Sequence, residues 1–141
     1  MNSLHHRAHE LASTYAEAVN LREPQVWAAC WHDAATWQLA DGRMLRGIDE
    51  ITRTWHDAMG HHRMVFQALA HGTVREIEGR LTGLWHFTEY AWRADAGTGA
   101  LLLAHYEDEY VEDEDGALRF SHRRLVRHYH GSPQLTDAPL L

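Results

Sequence analysis

Four ionisable residues in the second half of the sequence could carry acid–base chemistry: Glu89, Asp108, His122 and Arg124. Side chains alternate between the two faces of a strand, and counting by twos predicts that all four point inward. A desolvated carboxyl group has a raised pKa, histidine exchanges protons near neutral pH, and a guanidinium can stabilise an enolate or phenolate oxygen. The sequence therefore predicts proton transfer by Asp108 or Glu89 with His122. The alternative for the same residues is a buried carboxylate–arginine pair that holds the strands together.

His71 is a further candidate catalytic residue, predicted to orient polar groups of a substrate together with Arg124. It precedes Gly72 at a predicted strand bulge, and bulges often aim a side chain toward a site. A turn histidine that faces water is the alternative.

The predicted pocket lining is mostly aromatic. It comprises Tyr15, Trp37, Trp55, Met59, His62, Phe66, Trp85, Phe87 and Tyr106. Such a lining favours a planar or polycyclic apolar ligand. The sequence has no glycine-rich phosphate loop, which argues against nucleotide-dependent chemistry.

The sequence contains 13 histidines, which raises the question of a metal site. His5, His6 and His9 cluster on a predicted helix, and His128 and His130 share a strand face. No recognisable ligand frame such as His-Glu-x-x-His occurs. We therefore predict no catalytic metal and no cofactor, with adventitious nickel or zinc binding at the surface pairs as the alternative.

The order of the predicted elements is helices first and then a meander of strands, which is typical of an α+β domain. Helical spacing of apolar residues predicts a first helix with one apolar stripe, made of Leu4, Ala8, Leu11, Ala12, Tyr15 and Val19. Pro24 suits the start of a second helix that carries Val26, Trp27, Cys30 and Trp31 inward. Gly47 precedes a third helix, whose predicted buried stripe is Ile51, Trp55, Ala58 and Met59. Between the last two helices, residues 35–46 predict a hairpin that turns at Asp41 and Gly42. Four long strands are predicted at Met64–Ile77, Arg80–Arg93, Ala100–Glu112 and Ala117–Tyr129.

Composition limits the class of protein. The 141 residues carry a formal net charge of -7, which argues against a nucleic-acid partner. No apolar run approaches a membrane span, and no signal peptide is recognisable, so a cytoplasmic protein is expected. The single cysteine, Cys30, excludes an internal disulfide and is predicted to be a buried thiol. We expect one domain over residues 1–131 and a C-terminal tail over residues 132–141.

Several short segments form a recognisable series along the chain. They are Trp31-His32-Asp33-Ala34-Ala35, Arg46-Gly47-Ile48-Asp49-Glu50-Ile51, Val65-Phe66-Gln67, His71-Gly72-Thr73-Val74, Tyr106-Glu107-Asp108-Glu109-Tyr110, Asp115-Gly116, Arg119-Phe120 and Arg123-Arg124. In this order and spacing they resemble the SnoaL-like family of the nuclear-transport-factor-2-like superfamily. The resemblance covers residues 5–131. It implies a cone-shaped, curved, mostly antiparallel six-stranded sheet around three N-terminal helices, a pocket in the concave face, and often a homodimer.

The chain departs from the better-known family members. Leu39 stands where the resemblance implies the base of ketosteroid isomerases, and Ala68 or Ala70 lies near one expected histidine of scytalone-type dehydratases. The Asp-Arg-Asp trio of epoxide hydrolases has no match in the fifth strand. These three specific activities are therefore disfavoured.

Two function hypotheses follow. The first is a cofactor-independent lyase or isomerase, dehydratase- or cyclase-like, that acts on a small hydrophobic aromatic, polyketide- or terpenoid-like molecule. The second is a non-catalytic small-molecule-binding or dimerisation module of the same fold, with charges at Glu107, Glu109, Arg123 and Arg127 paired across a two-fold axis. The small subunit of a ring-hydroxylating oxygenase is a third option.

Overall fold

The computed structural model describes residues 3–141, which form three helices and six strands. In chain order these are α1 (Leu4–Asn20), α2 (Pro24–Ala29), β1 (Trp31–Gln38), β2 (Met44–Arg46), α3 (Ile48–Gly60), β3 (His62–Ile77), β4 (Arg80–Arg93), β5 (Ala100–Glu112) and β6 (Leu118–Gly131). The predicted α+β class is confirmed, and the elements follow the predicted order of two helices, a hairpin, a third helix and four long strands.

The first helix begins and packs as its sequence dictates. The Ser3 hydroxyl accepts a hydrogen bond from the His6 backbone N–H at 3.1 Å, which satisfies one of the free amides of the first turn. The predicted apolar stripe is buried at Ala8, Tyr15 and Val19. Its first member, Leu4, is exposed because it lies at the end of the helix.

The second helix is shorter than predicted. Pro24 occupies its first turn, but the helix ends at Ala29, so Trp31 opens a strand and is not part of the helix. Trp27 and Cys30 are buried as predicted, whereas Val26 is 39% exposed. Burial raises the pKa of the Cys30 thiol to about 11. A thiol that ionises so reluctantly is a poor nucleophile, which agrees with a structural role.

The third helix follows Gly47, whose φ of 84° is accessible to glycine without strain. Asp49 and Glu50 lie in its first turn, where the helix dipole favours negative charge. The predicted buried stripe is confirmed at Ile51, Trp55 and Met59, whereas its fourth member, Ala58, is exposed.

The six strands form one open sheet in the order β2-β1-β6-β5-β4-β3. The pairing of β1 with β6 is parallel and the other four pairings are antiparallel. The predicted hairpin at residues 35–46 is longer than expected, because its first strand already begins at Trp31. Gly42 has a φ of 91° in the connecting loop, as its position in the predicted turn requires.

Five register shifts interrupt the described sheet, and three of them help to decide which side chains face the helices. One lies between Leu69 and His71 in β3, where a bulge was predicted. Two more lie along β5 and β6, one of them where Tyr110 pairs with Phe120 and Glu109 pairs with His122. Ser121 is the extra residue of this last bulge. An extra residue reverses the alternation of side chains beyond it, so the inward face of β6 changes after Phe120.

Aromatic rings fill the space between the helices and the concave face of the sheet. Trp27 stacks on Trp55 with ring centroids 4.4 Å apart, and Phe87 stacks on Tyr106 at 4.5 Å. Tyr15 on α1 contacts Tyr106 edge-on at 5.8 Å. These contacts make the interior of the cone the main hydrophobic core.

Gly72 in β3 allows the backbone of β3 to lie directly against Trp85 of β4. A Cβ atom added at Gly72 would lie 2.5 Å from the Leu84 carbonyl oxygen and would overlap the Trp85 ring. We expect Gly72→Ala to lower the free energy of unfolding by about 1–3 kcal/mol, a typical cost of overpacking. Urea unfolding measures this, and Gly97→Ala, which places its Cβ in open space, is the matched control. Equal stability of the two variants would contradict the packing described here.

Beyond β6, residues 132–141 have no regular structure but are held to the domain. The Asp137 carboxylate accepts a hydrogen bond from the Ser132 backbone N–H at 2.9 Å, and the Leu140 N–H donates to the His128 carbonyl at 2.7 Å. Among residues 3–141, no helix has the length and apolar character needed to cross a bilayer.

Candidate functional site

A buried ion pair crosses the middle of the concave face. Arg123 donates from Nε to Asp108 Oδ1 at 2.8 Å and from Nη2 to Oδ2 at 3.0 Å. The side chains of Asp108 and Arg123 are 0% and 1% exposed, so both oxygens of the carboxylate are held away from water. Burial raises the pKa of the Asp108 carboxyl group, and the Arg123 guanidinium opposes that rise.

Arg123 is also surrounded by aromatic rings. Its guanidinium carbon lies 3.7 Å from the centroid of the Tyr106 ring, 4.0 Å from that of Phe120 and 4.4 Å from that of Tyr15. Such contacts stabilise a cation that has lost its hydration. The alternative interpretation of Asp108, a buried pair that holds the strands, is therefore what the structure shows, with Arg123 as the partner.

Arg124 and His122 are not on this face, and the prediction that they point inward is wrong. Arg124 is exposed on the outer face and donates to Glu107 Oε1 at 2.9 Å. His122 pairs with Glu109 across the strands, and its Nδ1 lies 2.6 Å from the Thr36 hydroxyl. The physical reason is the bulge at Ser121, which shifts the alternation by one residue.

His71 and Phe66 also lie outside the predicted pocket. Both are exposed on β3 and face away from the helices. His71 pairs with His86 and Phe66 with Tyr90, while Gln67, between them in sequence, is buried on the concave side. The prediction for β3 is therefore wrong by one residue, because Gln67 and not Phe66 faces the helices.

Seven other predicted lining residues are buried in the core. They are Tyr15, Trp37, Trp55, Met59, Trp85, Phe87 and Tyr106. Because these side chains pack on one another, they occupy the interior of the cone as well as line it.

Glu89 is an inward-facing carboxylate that bonds to no cationic side chain among residues 3–141. It accepts a hydrogen bond from Gln67 Nε2 at 3.0 Å, and the same amide nitrogen donates to the Tyr106 hydroxyl at 3.3 Å. Burial raises the pKa of Glu89, while the Gln67 hydrogen bond and the nearby His62 oppose the rise. Burial also raises the pKa of Tyr106, so its hydroxyl stays protonated and can donate. This arrangement leaves Glu89 able to take up or release a proton.

Asn20, at the end of α1, holds the Gln67 position in place. Its Oδ1 accepts from the Gln67 backbone N–H at 2.6 Å, and its Nδ2 donates to the Gln67 carbonyl at 2.9 Å. Both backbone groups of Gln67 are thus satisfied by one side chain. Asn20 thereby fixes the strand that carries the amide facing Glu89.

His62 is an ionisable side chain that influences the pKa of Glu89. His62, at the start of β3, donates from Nδ1 to the Ala58 carbonyl at 2.8 Å, which leaves Nε2 free. His62 also lines a cavity of about 870 Å³, together with Ala91 and the segment Gly131–Gln134. Ala91 follows Glu89 by two residues on the same face of β4. Glu89 itself is not among the residues that line this cavity.

The interior contains polar donors without acceptors. Within the described residues, the indole N–H groups of Trp27, Trp31 and Trp37 and the Nη1 of Arg123 are buried and unpaired. The three indole rings contact one another with centroids 5.6 Å apart. Because buried polar groups are normally hydrogen-bonded, these unpaired donors are a cost of the aromatic packing in this region.

The sequence analysis missed Asn20, Gln67 and Arg123. Alternation along β3 contains the signal for Gln67, since Val65, Gln67 and Leu69 share a face. Asn20 follows the apolar stripe of α1 and carries no pattern of its own. Arg123 was assigned outward because the bulge at Ser121 contains no glycine, the residue that often marks a bulge in a sequence.

Charges on the outer face are paired within the chain. Glu107 bonds Arg124, and Glu109 bonds Arg80. These residues line a groove of about 580 Å³ on the face opposite the helices. The predicted charge pairing across a two-fold axis is wrong for Arg123, which is buried in the core; the homodimer stays a prediction.

The class of protein follows from a comparison with known protein families. The SnoaL-like domain matches residues 4–124, and the chain belongs to this family. Among curated protein sequences, none matches the chain significantly.

Solved structures of the same fold align over nearly the whole chain. Hexachlorocyclohexane dehydrochlorinase LinA-type3 from Novosphingobium barchaimii LL02 is 16% identical, with 95% of this chain and 88% of that chain covered and a TM-score of 0.79. The Kfla4162 protein from Kribbella flavida is 20% identical, with 94% and 95% covered and a TM-score of 0.79. ActVI-ORFA from Streptomyces coelicolor is 13% identical, with 86% and 94% covered and a TM-score of 0.73. At these identities the likeness establishes the fold alone.

Proposed function

We propose that this protein is a cofactor-independent acid–base lyase or isomerase that acts on a small, hydrophobic, aromatic ligand bearing a carbonyl or phenol oxygen. The observation that carries the proposal is the state of Glu89: an inward-facing carboxylate with raised pKa that is bonded to an amide and, within the described part of the chain, to no cation. The similarity to a dehydrochlorinase and to ActVI-ORFA, both of the same fold, supports a lyase- or cyclase-type reaction.

Glu89 would remove a proton from a carbon next to the ligand's carbonyl. As the electron pair moves to the carbonyl oxygen, the Tyr106 hydroxyl would donate a hydrogen bond to that developing charge. The proton on Glu89 would then return to a second carbon in an isomerisation, or to the leaving group in an elimination. Gln67 would keep the carboxylate oriented through its hydrogen bond to Oε1. Asp108, locked to Arg123, has no part in this proton transfer.

The exchange of carbon-bound protons tests this proposal. With 2-tetralone, a bicyclic aromatic ketone, as the probe in D₂O, we expect the protein to accelerate deuterium uptake at the carbons beside the carbonyl. Glu89→Gln should slow that exchange at least about 100-fold, since a general base contributes roughly 10²–10⁴-fold. The control is Glu112→Gln, an exposed carboxylate whose ion-pair partner is Arg7. Equal exchange by the wild type and Glu89→Gln would exclude Glu89 as the base.

The ionisation of Glu89 gives an independent test. In protein with ¹³C-labelled glutamate, one carboxyl resonance should titrate above the usual pKa of about 4.3 and should vanish in Glu89→Gln. Because the native state then holds its proton to higher pH than the unfolded state, Glu89 lowers stability as the pH rises through its folded pKa. The free energy of unfolding of Glu89→Gln, relative to that of the wild type, should therefore increase as the pH rises from 4 toward neutrality. A resonance that titrates normally would contradict the burial of Glu89.

The second candidate function is a non-catalytic binding module, and the packed interior favours it. Asp108 is neutralised by Arg123 and the aromatic rings are stacked, so Glu89 is the inward-facing carboxylate that the proposed chemistry has to use. If the protein is a binding module, adding 2-tetralone should quench its tryptophan fluorescence equally in the wild type and in Glu89→Gln. Neither protein should then accelerate deuterium exchange. Binding without exchange would therefore replace the enzyme hypothesis with this one.

A further inference from the structure

Three histidines from neighbouring strands meet on the outer face of the sheet, opposite the aromatic core. They are His86 of β4, His105 of β5 and His128 of β6, and a ligating nitrogen of each lies within 4.8 Å of the others. The closest approach is 2.6 Å, between His105 Nδ1 and His128 Nε2. We propose that this cluster binds one divalent transition-metal ion of the zinc class.

The side chains around the cluster are arranged as metal ligands require. His105 is 8% exposed, and its Nε2 lies 3.1 Å from Glu107 Oε2. A carboxylate accepts and does not donate, so Nε2 carries the hydrogen and Nδ1 presents its lone pair toward His128. Glu107 is held in turn by Arg124 at 2.9 Å. A histidine ligand whose second nitrogen donates to an anchored carboxylate is the common arrangement at metal sites.

The distances suit an ion after small rotations of the rings. Zinc–nitrogen bonds of about 2.0–2.1 Å in tetrahedral geometry place two ligand nitrogens roughly 3.3 Å apart. The observed spacings of 2.6 Å and up to 4.8 Å bracket that value. To bind the ion through Nε2, His128 moves its proton from Nε2 to Nδ1, and the ring stays neutral. Imidazole ligands suit zinc, copper and nickel more than magnesium or calcium.

Three protein ligands leave a fourth coordination position open for water or another ligand. His71 stands next to the cluster, with its ring centroid 4.8 Å from that of His86, and is exposed. It is the side chain best placed to reach the ion as an additional ligand. The cluster faces away from Glu89, so the site is independent of the proposed proton transfer.

Metal titration of tag-free, chelator-treated protein tests the proposal. Co²⁺, followed by its visible absorption, should bind with a stoichiometry of one ion per chain, and Zn²⁺ should displace it. His86→Gln, His105→Gln and His128→Gln should each weaken Co²⁺ binding at least about 100-fold. Glu107→Gln, which removes the orienting carboxylate, should weaken it about 10–100-fold. His56→Gln, an exposed histidine on α3, is the matched control and should bind like the wild type.

The outcomes separate this site from adventitious binding. Circular dichroism of each variant checks its folding, and His86→Gln and His128→Gln remain informative if the more buried His105→Gln does not fold. Retention of wild-type affinity in these variants, with loss in His5→Gln or His6→Gln, would assign the ion to the N-terminal helix and overturn the proposal. Absence of Co²⁺ binding at 1 mM would also overturn it.

Discussion

Replacing Asp108 with asparagine is expected to lower the free energy of unfolding by about 3–5 kcal/mol, the usual cost of removing one member of a buried ion pair. Asparagine keeps the shape of the side chain but leaves the Arg123 guanidinium without a counter-ion. Arginine cannot lose its proton in a protein, so the uncompensated charge stays in the core. Urea unfolding at pH 7, followed by tryptophan fluorescence, measures this loss.

Replacing the arginine of the pair should lower the free energy of unfolding less than replacing the aspartate, and the loss should depend on pH. In Arg123→Met, the Asp108 carboxyl group can avoid an unpaired charge by binding a proton, because burial already raises its pKa. A group whose pKa is higher in the folded state loses stability as the pH rises through that value. Arg123→Met should therefore be most stable at acidic pH and less stable at neutral pH.

An exposed ion pair provides the control for these two variants. Arg93 Nε lies 3.2 Å from Asp95 Oδ1, and both side chains are more than half exposed. Exposed pairs contribute little, so Asp95→Asn should unfold at nearly the wild-type urea concentration. If Asp108→Asn did the same, the structural role assigned to the buried pair would be wrong.

Removing the central tryptophan should have a similarly large effect. Trp27 is 0% exposed, stacks on Trp55 at 4.4 Å with an interplanar angle of 11°, and contacts Trp31 and Trp37. Trp27→Ala leaves a cavity among rings that cannot all move to fill it. We expect a loss of about 3–5 kcal/mol in the free energy of unfolding, measured by urea unfolding.

Trp27→Phe is the informative companion variant. Phenylalanine keeps a ring against Trp55 and removes the Trp27 indole N–H, which is buried without a partner. A buried donor without a partner costs roughly 1–3 kcal/mol. Removing it therefore offsets part of the free energy that is lost with the contact area of the larger ring. Trp27→Phe should therefore be markedly more stable than Trp27→Ala. Equal destabilisation by both variants would show that ring stacking at this position contributes nothing.

The sequence by itself determined the elements and their order. Helical spacing at Ala8, Tyr15 and Val19 predicts the buried face of α1, because that spacing places the side chains on one side of a helix. The predicted limits of β4 and β5 are those observed, since Glu78-Gly79 and the glycine-containing segment 94–99 mark where the chain turns. Glu89, Tyr106 and Asp108 were correctly placed on the concave face.

Tertiary structure alone decided which partners these residues have. The bulge at Ser121 turned Arg123 inward and Arg124 outward, so the cation predicted for the pocket is exposed and its neighbour neutralises Asp108. The cluster of His86, His105 and His128 arises from strand register in the same way. Alternation along one strand is a local property that a sequence displays. Register between strands depends on pairing and bulges that involve residues far apart in the chain, and a shift of one residue exchanges the two faces.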